Sequence, residues 1–448
     1  MSQAAVSASG GLRARLEGYF EFEKLGTTWK TEIYAGFTTF VTMAYIVLVN
    51  PAILHDAGMP LAAVICATCI AAAYGSIAMG LFARYPIALA PGMGLNAYFT
   101  YTVVKGIGVP WQTALGAVFV SGIAFLLLTA LGVRKLVLAT IPKELYAGVS
   151  AGVGLFIAFI GLRNSRIIVP HPATVLAIGN LRDPSVAVAF AGLVIIGVLL
   201  ARRIQAAMLI GVLLTTVIAG FAGLTHWDPQ KYSLADLSAT AFHLNIGASL
   251  KLGLLEIVFV FLFVDFFDNL GTLVTVGKKA GLVTRSVDRI PRLTRIFVAD
   301  STATIVSALS GTSTVVSYVE SAAGVAAGGR SGVTAIIVGL LFLASLAAVP
   351  VLGMIPSAAT APALIVVGSL MMSSLIEVDW QDAAIAIPTF LTMIMIPLTY
   401  SIANGLAFGF IAFASIKVLL GRWREAHWLV YLLAGLFLLR FLYLGGLG

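Results

Sequence analysis

Long apolar runs, separated by short polar connections, recur along the whole chain. Fourteen of them come close to the roughly 20 residues that an α-helix needs to cross a bilayer. The pattern predicts an all-α polytopic membrane protein with fourteen transmembrane spans. The predicted spans lie near residues 31–54, 61–83, 87–104, 111–131, 143–161, 185–201, 205–224, 252–271, 293–308, 312–328, 331–351, 355–374, 382–398 and 401–419.

The third and tenth spans are interrupted in their middles, at corresponding places in the two halves of the chain. The first interruption, Pro86–Tyr98, contains prolines and glycines, and the second, Ser310–Gly324, contains a β-branched piece from Thr314 to Tyr318. At bilayer depth, non-helical backbone is tolerated only where it is buried in protein or lines a cavity. We therefore predict that short extended strands break spans 3 and 10, and that the breaks mark a transporter's binding site.

Internal similarity divides the chain into two halves of seven spans each. Span 5 begins with Ile141 and Pro142, span 12 begins with Ile355 and Pro356, and each continues into a run rich in small residues. Because seven is odd, the second half must cross the membrane in the opposite sense to the first. The sequence thus predicts a 7+7 inverted repeat.

Composition and charge agree with a membrane protein. The chain is 60% hydrophobic and only 10% charged, and its mean hydropathy is +1.03. The net charge of +8 would suggest a nucleic-acid partner in a soluble protein. With a cytoplasmic N-terminal segment, residues 1–30, most lysines and arginines fall in predicted cytoplasmic connections, as the positive-inside rule requires. We therefore expect a multi-pass protein of the cytoplasmic membrane, without a cleavable signal peptide and without a nucleic-acid partner.

A further apolar stretch follows the fourteenth span, at residues 427–445. It contains Arg440 and a Trp428/Tyr431 pair, which suit either an additional crossing or a helix that lies in the membrane interface. The sequence leaves its path open.

Three carboxylates lie at predicted bilayer depth, where an ionisable side chain is costly and marks a functional site by default. Asp265 and Asp268 are three positions apart in span 8, so they share one helix face, and Asn269 lies next to Asp268. Glu320 lies at the second interruption, where the N–H groups of the following half-helix would favour electron-rich ligand atoms.

The first interruption offers neutral ligand contacts. Gly92, Met93 and Gly94 free the backbone for close approach, and Asn96 supplies both a donor and an acceptor. Each polar residue also has a structural alternative: Asp268 could cap or pair within the bundle, and Glu320 could be a favourable charge at a helix start. A further carboxylate, Asp300 in span 9, is expected at the cytoplasmic edge near Arg295.

The remaining chemistry-bearing residues form no catalytic or metal-binding pattern. Cys66 and Cys69 lie inside span 2 without a nearby histidine, which favours packing over metal or redox chemistry. The five histidines fall in connections or at span ends and make no zinc signature. We therefore expect no enzyme activity, no metal and no cofactor.

Four strings of this sequence resemble the azaguanine-resistance branch of the nucleobase:cation symporter-2 family, and the resemblance covers roughly residues 20–424. The strings are Ala35–Tyr45 with Asn50 and Pro51, Pro91–Ala97, Phe263–Thr272, and Gly311–Thr314 with Glu320 and Ser321. The resemblance implies uptake of adenine, guanine or hypoxanthine with protons. It also implies homodimers joined through a gate domain, and a core domain that moves like an elevator.

The resemblance further implies the domain bounds. The core would consist of residues 31–131 and 251–351, which hold spans 1–4 and 8–11. The gate would consist of residues 132–224 and 352–420, which hold spans 5–7 and 12–14. An external loop at 225–250 and a C-terminal tail at 421–448 complete the chain.

The resemblance also implies a substrate site. Its carboxylates would be Asp265 and Glu320, assisted by Asn96, by backbone groups at Met93, Gly94 and Val319, and less directly by Asn269. Burial disfavours the charged form of a carboxyl group, so Asp265 or Asp268, with Glu320, is expected to take up the coupled proton outside and release it inside. Alternatives with the same fold are carriers of xanthine, uracil or an inorganic anion, and a channel is a further alternative.

Overall fold

The computed structural model describes residues 11–132, 142–225, 234–251, 254–281, 291–348 and 355–443. Some sequence-based bounds fall outside the described residues: 1–10 of the N-terminal segment, Ile141 at the start of span 5, 226–233 of the external loop, 252–253 of span 8, 349–351 of span 11 and 444–448 of the tail. All structural statements below concern the described part of the chain.

The described residues are mostly helical. The helices before the external loop are α1 Leu12–Tyr19, α2 Phe22–Leu25, α3 Trp29–Met43, α4 Ile46–His55, α5 Leu61–Ala78, α6 Met93–Ala97, α7 Trp111–Ala130, α8 Lys143–Asn164, α9 Pro184–Ala201 and α10 Ala207–Phe221. The later helices are α11 Ile246–Ser249, α12 Leu255–Lys279, α13 Leu293–Ser310, α14 Ser321–Ala326, α15 Gly332–Ala344, α16 Ser357–Met371, α17 Ala383–Thr399, α18 Ile402–Leu419 and α19 Trp428–Tyr443.

Shorter helical turns extend several of these elements. Wider π-helical turns cover Met79–Ala83 and Tyr98–Val104, at the ends of α5 and α6. Tighter 3₁₀ turns cover Leu234–Ala239, Ser345–Ala348, Met372–Glu377 and Trp423–Glu425.

The lengths of these helices confirm a polytopic membrane protein. Eight helical stretches are long and apolar enough to cross a bilayer, and four shorter apolar helices accompany them in the described residues. The long stretches are Trp29–His55, Leu61–Ala83, Trp111–Ala130, Glu144–Asn164, Pro184–Ala201, Leu255–Gly277, Ser357–Glu377 and Ile402–Leu419. The shorter ones are Ala207–Phe221, Gly332–Ala348, Ala383–Thr399 and Trp428–Leu442. The count of fourteen spans and the inverted repeat stay predictions.

Two short strands meet inside the protein, within the two interruptions of the apolar pattern. Strand β1 (Leu89–Pro91) pairs antiparallel with β4 (Val315–Ser317), so that Ala90 lies opposite Val316. The ladder continues at both ends through Gly92 N–H to Thr314 O (2.9 Å) and Tyr318 N–H to Ala88 O (2.9 Å). These bonds satisfy backbone groups that would otherwise be unpaired in an apolar environment.

Side chains complete the junction between these strands. The Tyr318 hydroxyl donates to Pro91 O (2.6 Å), and Ala88 N–H donates to Ser321 Oγ (3.0 Å). Ser76 in α5 both donates to Leu89 O and accepts from Leu89 N–H, each at 3.0 Å. A separate β-hairpin, β2 (Ile168–His171) with β3 (Val175–Ile178), follows α8 and has no part in this junction.

The helices around the junction pack into two groups. Helix α5 packs against α13 and α15, and α7 packs against α12 and α13. Helix α8 instead packs against α16 and α17, while α16 also contacts α9 and α10. Gly154 and Gly368 allow the closest approach of α8 and α16, since a Cβ at Gly368 would lie 2.3 Å from Gly154 O. Small residues commonly mediate such close helix contacts in membranes.

Candidate functional site

A cavity of about 120 Å³ lies where the two strands meet the helix pair α8 and α16. Since a single water molecule needs only about 10–15 Å³ by the same measure, this space suits a small organic ligand rather than a lone ion. Its walls come from both helix groups. They consist of Tyr45, Gly92–Leu95, Tyr146, Val149, Ser150, Val153, Val264, Phe267, Asp268, Thr272, Val316–Glu320, Val367 and Met371.

The structure brings six of the residues proposed from the sequence to this cavity, including Gly92. Met93 and Gly94 lie just after β1, Val319 and Glu320 just after β4, and Asp268 reaches it from the middle of α12. The cavity thus has two carboxylates among walls that are otherwise mostly apolar. Gly94 fits tightly here, because a Cβ at this position would lie 2.3 Å from Val153 Cγ1 of α8.

Glu320 is held by a tyrosine that the sequence analysis did not single out. The Tyr45 hydroxyl donates a 2.8 Å hydrogen bond to Glu320 Oε1. Tyr45 lies in the turn between α3 and α4 and is only 1% exposed. A charge-assisted bond of this kind fixes the direction of the carboxylate.

The half-helix after Glu320 differs from the expectation. Its first N–H groups were expected to point into the cavity, but those of Ser321, Ala322 and Ala323 donate to Tyr318 O, Val319 O and Glu320 O, at 2.9–3.1 Å. The chain turns tightly before α14 begins, so these donors are satisfied within the turn. Positive character at this end of the cavity therefore does not come from these three N–H groups.

The structure does not bring Asp265, Asn96 or Asn269 to the cavity wall. Asp265 is 1% exposed, and its Oδ2 lies 3.3 Å from the Thr304 hydroxyl of α13. The same hydroxyl lies 3.2 Å from Val315 O in β4. A hydroxyl has one proton to donate, so a protonated Asp265 would complete a chain from the carboxyl group through Thr304 to the strand.

Asp300 is a residue whose burial the sequence analysis did not predict. It was expected at the cytoplasmic edge, yet its side chain is completely buried in α13 and neither carboxylate oxygen has a hydrogen-bond partner among the described residues. It lies close enough to Asp265 to interact electrostatically, and Asn269 lies beside it. The sequence does contain a signal for this burial. Asp300 lies one turn before Thr304, on the same face of a helix rich in alanine, serine and threonine.

Asn96 and Asn269 are also completely buried. By hydrogen-bond distance and angle, both amide atoms of each residue are without a partner in the described part of the chain, and Asn269 lies close enough to Asp300 to form a bond after a small shift. Asn269, Asp265 and Asp300 form a buried polar cluster between α12 and α13. Buried polar groups without partners are rare in proteins and call for a functional explanation.

The opposite wall of the cavity comes from α8 and α16. Tyr146, Val149, Ser150 and Val153 lie along one face of α8, and Met371 lies at the end of α16. Nothing in the local pattern distinguishes these residues from ordinary packing positions, so only the tertiary contact reveals them.

No group of three or more His, Cys, Asp or Glu side chains that could hold a metal ion occurs within the described ranges. Cys66 and Cys69 are both buried and free in α5.

Comparisons with known proteins agree on one class. The "Permease family" model matches residues 30–408. The adenine permease AdeP of Escherichia coli is 43% identical over 444 residues, which cover 99% of this chain and 99% of AdeP. The guanine/hypoxanthine permease PbuG of Bacillus subtilis is 43% identical over 445 residues, covering 96% of this chain and 100% of PbuG.

A solved structure shows the same fold at low sequence identity. The transmembrane domain of the cyanobacterial bicarbonate transporter BicA matches with a TM-score of 0.63 and 16% identity, covering 85% of this chain and 96% of that domain.

Proposed function

Because this chain belongs to the nucleobase:cation symporter-2 family of permeases, we propose that it carries purine nucleobases into the cell together with protons. The substrate would be adenine, guanine or hypoxanthine. End-to-end similarity to an adenine permease and to a guanine/hypoxanthine permease supports this substrate class. The observation that carries the proposal is the cavity beside the paired strands β1 and β4, with Asp268 and Glu320 on its walls.

The chemistry of the cavity suits a purine. A purine presents ring N–H and amino donors along its edges, and carboxylates accept such donors in strong, charge-assisted bonds. Its flat apolar faces would lie against Val264, Phe267 and Val316. Asp268 and Glu320 are thus the principal substrate carboxylates, with backbone groups at Met93, Gly94 and Val319 in support.

The proton would be held by the buried carboxylates behind this site. An isolated charge in an apolar interior is costly, and a carboxyl group there takes up a proton instead. Asp265 and Asp300 lie together without a lysine or arginine bonded to either of them in the described residues. At least one of the two would therefore be neutral. Asp265 lies on α12 together with Asp268, which lines the cavity, so α12 connects this pair to the substrate site. Asn269, which lies beside Asp300, would stabilise the charged form in turn.

Transport would follow an elevator mechanism in a 7+7 inverted repeat of fourteen spans. Residues 31–131 and 251–351 would form the moving core, residues 132–224 and 352–420 the gate, and the gates would join two protomers. The cavity supports this division, because the strands and α12 form one wall and α8 and α16 the other. Sliding of one helix group past the other would expose the ligand alternately to the two sides.

Hydrogen bonds between the two groups support the same view. Asn164, at the end of α8, donates to Tyr101 Oη (2.9 Å), and the Tyr101 hydroxyl donates to Asp56 Oδ2 (2.6 Å). With a cytoplasmic N-terminus, these residues would lie at the outer ends of their spans. These bonds would then hold the outer side closed and would break when the substrate enters from outside.

The test is uptake of labelled adenine and hypoxanthine by cells that lack their own nucleobase carriers. Each substrate is challenged with excess adenine, guanine, xanthine or uracil, and a proton uncoupler is added in parallel. Accumulation that only purines block and that the uncoupler abolishes supports the proposal. Block by xanthine or uracil, or uptake that never exceeds equilibrium, contradicts it.

A matched pair of variants connects uptake to the cavity. Glu320→Gln should abolish uptake or reduce it at least tenfold while the protein still inserts in the membrane. Glu23→Gln, on the exposed surface of α2, should behave as the wild type. Equal kinetics for Glu320→Gln and the wild type would contradict the assignment of this site.

A further inference from the structure

The last helix of the described chain runs back along α18. Arg440, in the last turn of α19, donates to Asn404 Oδ1 (3.0 Å) in the first turn of α18. At the other end, Tyr431 of α19 donates to Trp423 O (2.8 Å), just beyond the end of α18. The aromatic rings of Phe437 and Phe410 lie 6.0 Å apart between these ends. The two helices are therefore antiparallel along nearly their whole lengths.

Helix α19 is shorter than the roughly 20 residues of a typical crossing, but its length is similar to that of α10 and α17, which match predicted spans 7 and 13. It has 16 residues, or about 24 Å at 1.5 Å per residue, against 18 residues in α18. Since α18 is among the helices that are long and apolar enough to cross the bilayer, an antiparallel neighbour of similar length returns to the side from which α18 came.

The surface of α19 excludes an interfacial position. Its buried face consists of Val430, Ala434 and Phe437. Its exposed face carries Trp428, Leu432, Leu436, Leu439 and Leu442. An interfacial helix needs one charged or polar face in water, whereas this helix is apolar on the face that points away from the protein. Lipid is the environment that suits such a face.

Arg440 also reaches α12, which belongs to the helix group of α7 and α13. Its Nε donates to Glu256 Oε2 (2.6 Å) in the first turn of α12. Phe437, one turn earlier, packs against Phe259 of the same helix, with ring centroids 6.2 Å apart. Helix α12 carries Asp265 and Asp268. A single arginine side chain thus bonds to the helix with the buried carboxylates and to α18.

We propose that α19 is a fifteenth membrane crossing, and that Arg440 works as a strap between α12 and α18 through Glu256 and Asn404. The C-terminus then lies on the side of the membrane opposite to the N-terminal segment. Paired charges are far less costly in a membrane than a single one, so breaking the strap requires both groups to find new partners. The strap restrains movement of α12 relative to α18 and favours the conformation described here. This role in movement rests on the proposed function, whereas the crossing does not.

Cysteine labelling in the full-length protein tests the crossing. The variant Gly448→Cys places a thiol at the C-terminus, and Arg424→Cys places one in the exposed turn after α18. Intact cells are treated with a membrane-impermeant maleimide, with and without permeabilisation, and the buried Cys66 and Cys69 give the background in the wild type. The expected result is labelling of Gly448→Cys without permeabilisation and of Arg424→Cys only after it. Labelling of both variants only after permeabilisation would overturn the crossing.

Two cross-linkable pairs test the strap. The first pair, Glu256→Cys with Arg440→Cys, joins α19 to α12, and the second pair, Asn404→Cys with Arg440→Cys, joins α19 to α18. A short thiol cross-linker should reduce uptake at least fivefold in the first pair, and cleavage of the linker should restore it. The second pair should be cross-linked equally well with little change in uptake, because α18 and α19 move together.

The outcomes separate the two proposals. Unchanged uptake in a fully cross-linked first pair would overturn the strap while purine transport stands. If the wild type takes up no purine, the proposed function fails, and the labelling experiment still decides whether α19 crosses the membrane.

Discussion

The Tyr45 hydroxyl donates a 2.8 Å hydrogen bond to Glu320 Oε1, although the two residues are 275 positions apart in the chain. Tyr45 lies in the turn that divides α3 from α4, and Glu320 lies between β4 and α14. The bond therefore links a turn in the first predicted span to the interruption in the tenth. Glu320 also lines the cavity, so its carboxylate can accept a hydrogen bond from a ligand there.

Loss of this bond should weaken substrate binding. We expect Tyr45→Phe to raise the KM for purine uptake roughly tenfold. A hydrogen bond to a charged group contributes about 1.5–3 kcal/mol, and only the part of this energy that orients the Glu320 carboxylate toward the substrate is lost from binding. Initial-rate uptake at a series of substrate concentrations measures this effect. Tyr34→Phe, at an exposed position in α3, is the control. An unchanged KM for Tyr45→Phe would mean that Glu320 needs no orientation by Tyr45.

The two carboxylates of α12 should have separable roles. Asp268→Asn removes a carboxylate from the cavity wall, so we expect purine binding to fall at least tenfold. Asp265→Asn leaves the wall intact and changes only the buried cluster. We expect that variant to bind purine but to lose accumulation against a gradient. Binding of labelled purine to purified protein, together with uptake in the same variants, distinguishes the two effects, and an identical defect in both variants would contradict the separation.

Close helix packing should make Gly324 intolerant of a side chain. A Cβ at this position in α14 would lie 2.0 Å from Thr39 Oγ1 and 2.5 Å from Ala35 O, and the backbone oxygen of Ala35 cannot move freely. We expect Gly324→Ala to destabilise the protein by about 1–3 kcal/mol, the usual cost of overpacking. Thermal unfolding in detergent measures the loss. Gly435→Ala in α19, with open space around its Cβ, should unfold at or slightly above the wild-type temperature, because alanine favours a helix more than glycine does.

Glu32 joins the beginnings of α3 and α15. It is completely buried, and its oxygens accept from Arg330 N–H (2.9 Å), Ser331 N–H (3.1 Å) and Thr334 N–H (3.2 Å). Glu32→Ala would leave these donors without partners, at a cost of about 1–3 kcal/mol for each. We therefore expect little folded protein, by size-exclusion chromatography, for Glu32→Ala and a normal yield for Glu23→Ala. A well-folded Glu32→Ala variant would contradict this role.

The contact between the turn after α18 and the start of α17 should be insensitive to pH across the physiological range. Hydrogen bonds from Arg422 and Lys417 lower the pKa of Glu425 from 4.5 to about 2, and the hydrogen bond from Arg422 also lowers the pKa of Asp382. A group whose folded pKa is lowered contributes stability above its unfolded value and loses it as the pH falls. The contribution of Glu425 is therefore present above pH 4.5 and lost toward about pH 2.

Thermal unfolding of the wild type and of Glu425→Gln at several pH values checks this expectation. The difference in unfolding temperature should be constant between pH 5 and 8 and should shrink below pH 4.5. A difference that changes between pH 5 and 8 would contradict it. If the difference in unfolding temperature is constant, any pH dependence of uptake between pH 5 and 8 comes from groups other than Glu425. The membrane-embedded carboxylates are the first groups to test.

The site could be predicted from the sequence only in part. Prolines and glycines at Pro86–Tyr98 and Ser310–Gly324 located the region of the cavity, because these residues interrupt helices locally. The same local reasoning placed Asp265 and Asp268 on one helix face, but α12 turns only Asp268 toward the cavity. Asp300 was expected at the membrane edge, and its burial was not predicted. That burial depends on how α12 and α13 pack and not on the sequence neighbours of Asp300.

The sequence by itself determined the membrane class, the places where helices are interrupted and three of the carboxylates near the strands, Asp265, Asp268 and Glu320. These features follow from the lengths of the apolar segments and from the local backbone preferences of their residues, which do not depend on the rest of the chain. Only the tertiary structure decided that Tyr45 holds Glu320, that Thr304 lies between Asp265 and β4, and that Arg440 bonds to both Glu256 and Asn404. Such contacts join residues far apart in the chain, so they depend on the rotation and approach of packed helices, which no local pattern specifies.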